Sequence, residues 1–380
     1  MESNIDIARS SVTKYEKMAK AVSSRRFDWI MVMVCVWWLG GVFIDGWAHS
    51  NLPQLETFFT PWHAILYAGY LAVAITLIVM IMLNLSRTAA GQSANGKAPS
   101  LGTLITTSWP EKRWMQAIPA GYELSLLGIG IFAISGVGDL TWHSLFGIER
   151  GTEALLSPTH LGLALGLGLA LSGPLRATWR RADYISSWRQ LGPAVVSLTF
   201  TFSLLTFFTA YAHPLVTPWP ILNIPNSGGS TRGITNILLQ TGVTMSFILL
   251  ALRRWRLPIG TFTFFFTLNA ILMTVFAPKT VALTLPTPLL AGLTTDLLYT
   301  WLQPSEEQPI SVRLFAFVVP GTFYLFYFIN LDIVGPLISG NHIVWPIPFW
   351  AGAPVIAGIT GFLLSYVMIP PEKPAKATEK

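Results

Sequence analysis

Two short stretches combine acids and histidines at spacings that suit metal ligation. The first reads Asp45-Gly-Trp-Ala-His49-Ser50 and then Glu56-Thr-Phe-Phe-Thr60-Pro61-Trp62-His63. The second reads Asp139-Leu-Thr-Trp-His143-Ser144 and then Glu153-Ala-Leu-Leu-Ser157-Pro158-Thr159-His160. Asp and His four residues apart stand one turn apart on one helix face, so both can reach a common point. Thr60-Pro61 and Ser157-Pro158 pair an N-cap residue with proline at the first helical position. His63 and His160 then fall in the first turn of a new helix, level with the Asp-His pair that ends the previous one. Each stretch therefore predicts a helical hairpin that presents one carboxylate and two imidazoles at a single depth.

A carboxylate with two imidazoles is a suitable set for copper, iron or zinc, and leaves positions open for water or substrate. Magnesium and calcium would demand more oxygen ligands. The competing reading is that these acids and histidines hydrogen-bond one another and tie helix ends together. Recurrence of all six, Asp45, His49, His63, Asp139, His143 and His160, as two identical triads favours metal. Cys35 is the only cysteine and lies inside an apolar run, which excludes a thiolate cluster and an intrachain disulfide.

The elements that must position these residues are membrane spans. The chain has 380 residues, 52% hydrophobic and 11% charged, with a mean hydropathy of +0.55; a soluble protein carries roughly twice that share of charge. Ten apolar runs, 28–48, 61–85, 119–141, 158–176, 191–212, 233–252, 258–278, 283–301, 313–334 and 349–370, each approach the length needed to cross a ~30 Å hydrocarbon core. The sequence thus predicts an all-α polytopic membrane protein of about ten transmembrane helices with an internal two-hairpin repeat. Its expected parts are a cytoplasmic amphipathic N-terminal segment over 1–27, a duplicated four-helix metal-site region over 28–176, a six-helix C-terminal membrane region over 177–370, and a cytoplasmic tail over 371–380. Lys14, Lys17 and Lys20 recur at helical spacing within 12–22, and the first span, lacking a small-residue cleavage site, is expected to stay as a signal anchor. Gly162 and Gly166 give a small-residue face for close helix packing.

With both termini in the cytoplasm, only Arg150, Arg232 and Lys279 of the 24 basic residues fall on the outer side. That orientation puts all six histidines at outer span ends or in outer loops, so the metal site is expected to face outside, in a prokaryotic cell membrane. Cytoplasmic loops account for the formal charge of +6, so no nucleic-acid partner is expected. The expected partners are the lipid bilayer and either other membrane subunits or further copies of the chain.

Glu56 and Glu153 recur seven residues before the second histidine of each copy, as second-shell partners of an imidazole or as loop carboxylates in water. His213 and His342 lie on the same outer side and can cap the site or relay protons, and Asp332 can join the same polar pocket. Glu149 and Arg150 read as a loop ion pair, and Asp296 and Glu123 as headgroup-exposed carboxylates. The chain has no GxGxxG, Walker-type loop or HExxH, which argues against nucleotide-driven transport and zinc proteolysis. Ser50 and Ser144 directly follow their histidines and cannot form a Ser-His-Asp triad.

The two motifs, Asp-x3-His followed by Thr-Pro-x-His or Ser-Pro-x-His, resemble the C subunit of the copper membrane monooxygenases, the particulate methane and ammonia monooxygenase family. The resemblance covers roughly residues 28–176. It implies copper at Asp45, His49 and His63, a second site at Asp139, His143 and His160, and oxidation of a small apolar molecule or ammonia by O₂. The family has asparagine where this chain has Asp139, and its enzyme works with two other subunits. Two further expectations stay open: a non-catalytic copper-binding or assembly protein, and a proton or ion carrier using paired Asp/His groups.

Overall fold

The computed structural model describes residues 23–52, 59–92, 111–147, 149, 151–181, 186–224 and 228–370. Glu56, the amphipathic segment 12–22 and the tail 371–380 lie outside the described residues. Among those residues the chain is helical with no strand, and nine helices are long and apolar enough to cross a membrane. It is an all-α polytopic membrane protein, as the hydropathy predicts.

The N-terminal part holds α1 (Arg25–Asn51), α2 (Pro61–Gln92), the short α3 (Glu111–Ala117), α4 (Glu123–Phe146), α5 (Thr152–Leu156), α6 (Pro158–Leu171) and α7 (Gly173–Trp179). The Ser172-Gly173-Pro174 step interrupts the fourth span, so α6 and α7 cross as one apolar segment, Pro158–Trp179. The C-terminal part holds α8 (Trp188–Phe208), α9 (Gly229–Arg254), α10 (Thr261–Met273), α11 (Pro278–Thr284), α12 (Pro286–Leu302), α13 (Pro309–Ile338) and α14 (Ile347–Met368).

The expected seventh span, 258–278, differs most. Its helix is only the 13 residues of α10, about 20 Å long at 1.5 Å per residue and too short to cross unaided. Gly260, at φ 86°, opens it in a left-handed conformation, and Pro278 already starts the next helix. Asp296 of α12 anchors its start, accepting from the backbone N–H groups of Gly260, Phe262 and Thr263 at 2.9–3.3 Å and from the Thr263 hydroxyl at 2.6 Å. Asp296 is thus a buried cap and not a headgroup-facing carboxylate. Glu123, the other acid expected there, pairs with Arg180 at 2.7 Å.

Two hairpins position the candidate site. In the first, α1 crosses α2 so closely that a Cβ on Gly41 would lie 2.7 Å from the Leu66 Cα, and one on Gly69 would lie 2.6 Å from the Trp38 Cα. In the second, a Cβ on Gly166 of α6 would lie 2.7 Å from the Gly128 carbonyl oxygen of α4. The small-residue face is therefore a backbone-to-backbone seam at Gly166, while Gly162 makes room for the Ser135 side chain of α4. Aromatic packing joins the hairpins below their loops: the Phe132 ring lies 4.8 Å from Trp38, 5.0 Å from Tyr70 and 5.9 Å from Tyr67. Trp38 and Phe132 are almost wholly buried. The helix α8 closes the remaining side, where Phe207 packs on Phe43, on Phe276 and over Gly46.

Candidate metal centre

Asp45 and His49 sit in the last turns of α1, and His63 occupies the first turn of α2. The His63 Nε2 lies 3.4 Å from one Asp45 carboxylate oxygen, and the His49 Nε2 lies 3.7 Å from the other. The second hairpin repeats the arrangement: His143 Nε2 and His160 Nε2 lie 3.5 Å and 3.1 Å from Asp139 Oδ1. Within each triad one donor atom from each residue lies within 4.8 Å of the others. Bonds of about 2.0–2.2 Å to a tetrahedral ion separate neighbouring donors by about 3.3 Å. The His63 and His143 separations match the edges of such a polyhedron, while His160, at 3.1 Å, hydrogen-bonds Asp139.

The opposite edge of each ring explains why Nε2 is the nitrogen presented. His49 Nδ1 lies 3.4 Å from the Glu149 carbonyl oxygen, and His143 Nδ1 lies 3.1 Å from the Gly147 carbonyl oxygen. A carbonyl only accepts, so both Nδ1 atoms donate there, and Nε2 is the nitrogen left to face the carboxylate. His63 Nδ1 meets the Thr60 hydroxyl at 3.2 Å, and His160 Nδ1 meets the Ser157 hydroxyl at 2.8 Å. The two N-cap hydroxyls, three residues before their histidines, act on the rings. Thr60 also accepts from the backbone N–H of His63, while Ser157 makes no backbone cap. The Nε2 atoms of all four rings thus face carboxylate oxygens, a geometry in which a cation could be held between them. Consistent with this, the buried Asp45 Oδ1 and His49 Nε2 have no hydrogen bond.

The two triads form one cluster. The His49 ring centroid lies 6.4 Å from those of both His143 and His160, and His143 and His160 are 5.4 Å apart. Glu149, read from sequence as half of a loop ion pair, straps the two hairpins together. Its carbonyl accepts from the His49 Nδ1, its Oε1 accepts from the Trp142 indole N–H at 2.7 Å, and its Oε2 lies 3.5 Å from His160 Nδ1. That Oε2 is buried without a hydrogen bond. Thr159 adds a hydroxyl donated to Asp139 at 2.9 Å.

The remaining candidates fall elsewhere. Glu153 is exposed on α5. Asp332 and His342 pair with each other at 3.3 Å on an exposed surface. His213 is buried in a second pocket with Gln240, Asn269 and Tyr324, where the Leu215 backbone N–H donates to its Nδ1 at 3.3 Å. Burial pushes the His213 imidazole down to about 4 despite its bond to the Asn269 side chain.

Beside the cluster opens a cavity whose other walls, Ser50 apart, are apolar: Val42, Leu66, Phe132, Leu163, Leu167, Phe207 and Phe276 among them. Neither Glu149 nor this wall was visible in the motif spacing. Tyr67, one helical turn after His63 and 6.5 Å from it between ring centroids, was likewise missed. No protein-family model, curated protein or solved structure matches this chain.

Proposed function

We propose that this chain is a membrane-embedded copper protein that oxidises a small apolar substrate with O₂, in the manner of a monooxygenase subunit. One observation carries the reading: two Asp/His/His triads with Nε2-presenting imidazoles converge at the edge of a cavity that is otherwise hydrocarbon-lined. Asp45, His49 and His63 would hold one ion, and Asp139, His143 and His160 another. Copper bound there would supply one-electron exchange with O₂. The protein's own contribution is to fix the rings through Thr60, Ser157, Gly147 and Glu149, and to keep water out with Phe132, Phe207 and Phe276. An apolar wall favours an alkane-like substrate over ammonia. The basic-residue asymmetry around the first four spans supports an outward-facing centre with a cytoplasmic N-terminus.

The test is metal content followed by turnover. Wild-type protein, purified in native-like lipid without chelator and offered copper, is expected to retain copper, and His63→Ala with His160→Ala to lose it. Substrate-dependent O₂ uptake in the copper-loaded protein supports the oxidase. Retained copper without uptake favours the copper-binding or assembly alternative, and metal-free wild type rejects both in favour of the proton or ion carrier.

A further inference from the structure

At the opposite end of α1 from the histidines, the N-termini of α1 and α8 lie side by side and enclose a second polar site. Its walls are Arg25, Arg26, Trp29, Arg189 and Gln190, with no acidic side chain among the described lining residues. The Trp29 indole lies against Gly192, where a Cβ would come within 2.5 Å of its ring, so the floor is closed by aromatic surface. Asp28 is the acid nearest in sequence, but it is fully buried and committed to the Ser23 hydroxyl at 2.6 Å, the Tyr122 hydroxyl at 2.8 Å and Arg181.

Three further observations select the ligand. The N-cap Ser187 of α8 makes no side-chain cap, and the first turn of α8 carries no acid, so its backbone N–H groups and dipole favour an anion. Gln190 Oε1 is buried without a hydrogen bond and would accept from a hydroxyl. Beyond Arg26, Ile30, Met33 and Trp37 follow at helical spacing on one face of α1 and are 51%, 66% and 50% exposed. This apolar track begins where the arginines end.

We propose that this site binds one anionic glycerophospholipid, with its phosphate on Arg26 and Arg189, a headgroup hydroxyl on Gln190, and an acyl chain along Ile30, Met33 and Trp37. Arginine suits the phosphate because its planar fork makes paired N–H···O bonds. Basic pockets between transmembrane helices at the headgroup level bind such lipids. The apolar track distinguishes a lipid from free phosphate, which would use the arginines alone.

Native mass spectrometry of the full chain, released from nanodiscs of equal phosphatidylglycerol and phosphatidylcholine, tests this. The wild type is expected to retain phosphatidylglycerol with at least about a tenfold preference, and Arg26→Gln with Arg189→Gln to lose most of it. Both arginines are exposed, and helicity and melting of the variant check that it folds. In the wild type itself, 0.5 M salt should cut the preference severalfold, while millimolar inorganic phosphate should leave the lipid bound. Equal retention of the two lipids, an unchanged preference in the folded double variant, or displacement by inorganic phosphate would each overturn the proposal.

Discussion

Ser157 and Thr60 decide which nitrogen of the neighbouring imidazole faces the carboxylate. Each is a capping residue whose hydroxyl reaches the histidine three positions on, so the turn that starts the helix also orients a candidate ligand. Partners of this kind commonly alter metal affinity 10- to 100-fold when removed. On the proposed copper reading, Ser157→Ala is expected to weaken copper binding by about that factor, because Ser157 spends its hydroxyl on the ring and makes no backbone cap. Ser157→Thr keeps the hydroxyl and should restore most of the affinity. Competition titration against a copper chelator reads both, and equal affinity in Ser157→Ala and wild type would remove the hydroxyl from the design. Glu149 is the complementary case, joining His49 to His160 through its carbonyl and its carboxylate.

Among the elements, the α4–α6 seam controls where His160 stands relative to Asp139 and His143. A methyl at Gly166 would meet the Gly128 carbonyl oxygen and the Phe132 backbone nitrogen, both at 2.7 Å. Main-chain atoms cannot swing aside as a flexible side chain can, so Gly166→Ala must separate the helices. An apparent loss of about 1–3 kcal/mol is expected, together with weaker copper binding. Gly130, where a Cβ meets nothing within 4 Å, supplies the control: Gly130→Ala should melt at or above the wild-type temperature in the same detergent.

The triads were legible in the sequence because what defines them is local: the four-residue Asp-His spacing, the Ser/Thr-Pro starts and, in the second hairpin, the small-residue face; the approach of Gly41 to Leu66 and of Gly69 to Trp38 in the first was not. Glu149 was not, since its bond to His49 spans 100 residues and depends on how the loop before α5 folds back. The shortness of α10 was hidden for a related reason. Its 21-residue apolar run looks adequate by length, but proline, glycine and the distant carboxylate of Asp296 set where the helix starts and stops. The aromatic wall likewise depends on α8 lying beside α1, a tertiary fact that residue spacing does not carry.

For the molecule as a whole, the six C-terminal histidine-poor segments do more than surround the site. Phe207, Phe208 and Phe276 close the cavity beside the triads, while His213 sits in a separate neutral pocket and contributes to stability instead of ligation. The pH dependence of that contribution has a definite sign. Folding lowers the His213 value from 6.5 to about 4, so between those limits the unfolded chain binds the proton more readily than the folded one. Its contribution is intact above pH 6.5 and is lost as pH falls, by about 3 kcal/mol at pH 4. His213→Gln keeps a neutral side chain that can pair with Asn269 and removes the titration. Thermal melts in detergent from pH 7.5 to 4.5 should therefore fall more steeply for wild type than for His213→Gln, whatever the acids of the Asp/His cluster add to both. Parallel pH profiles would mean that acid reaches the protein through other groups and that His213 is not held neutral by its burial.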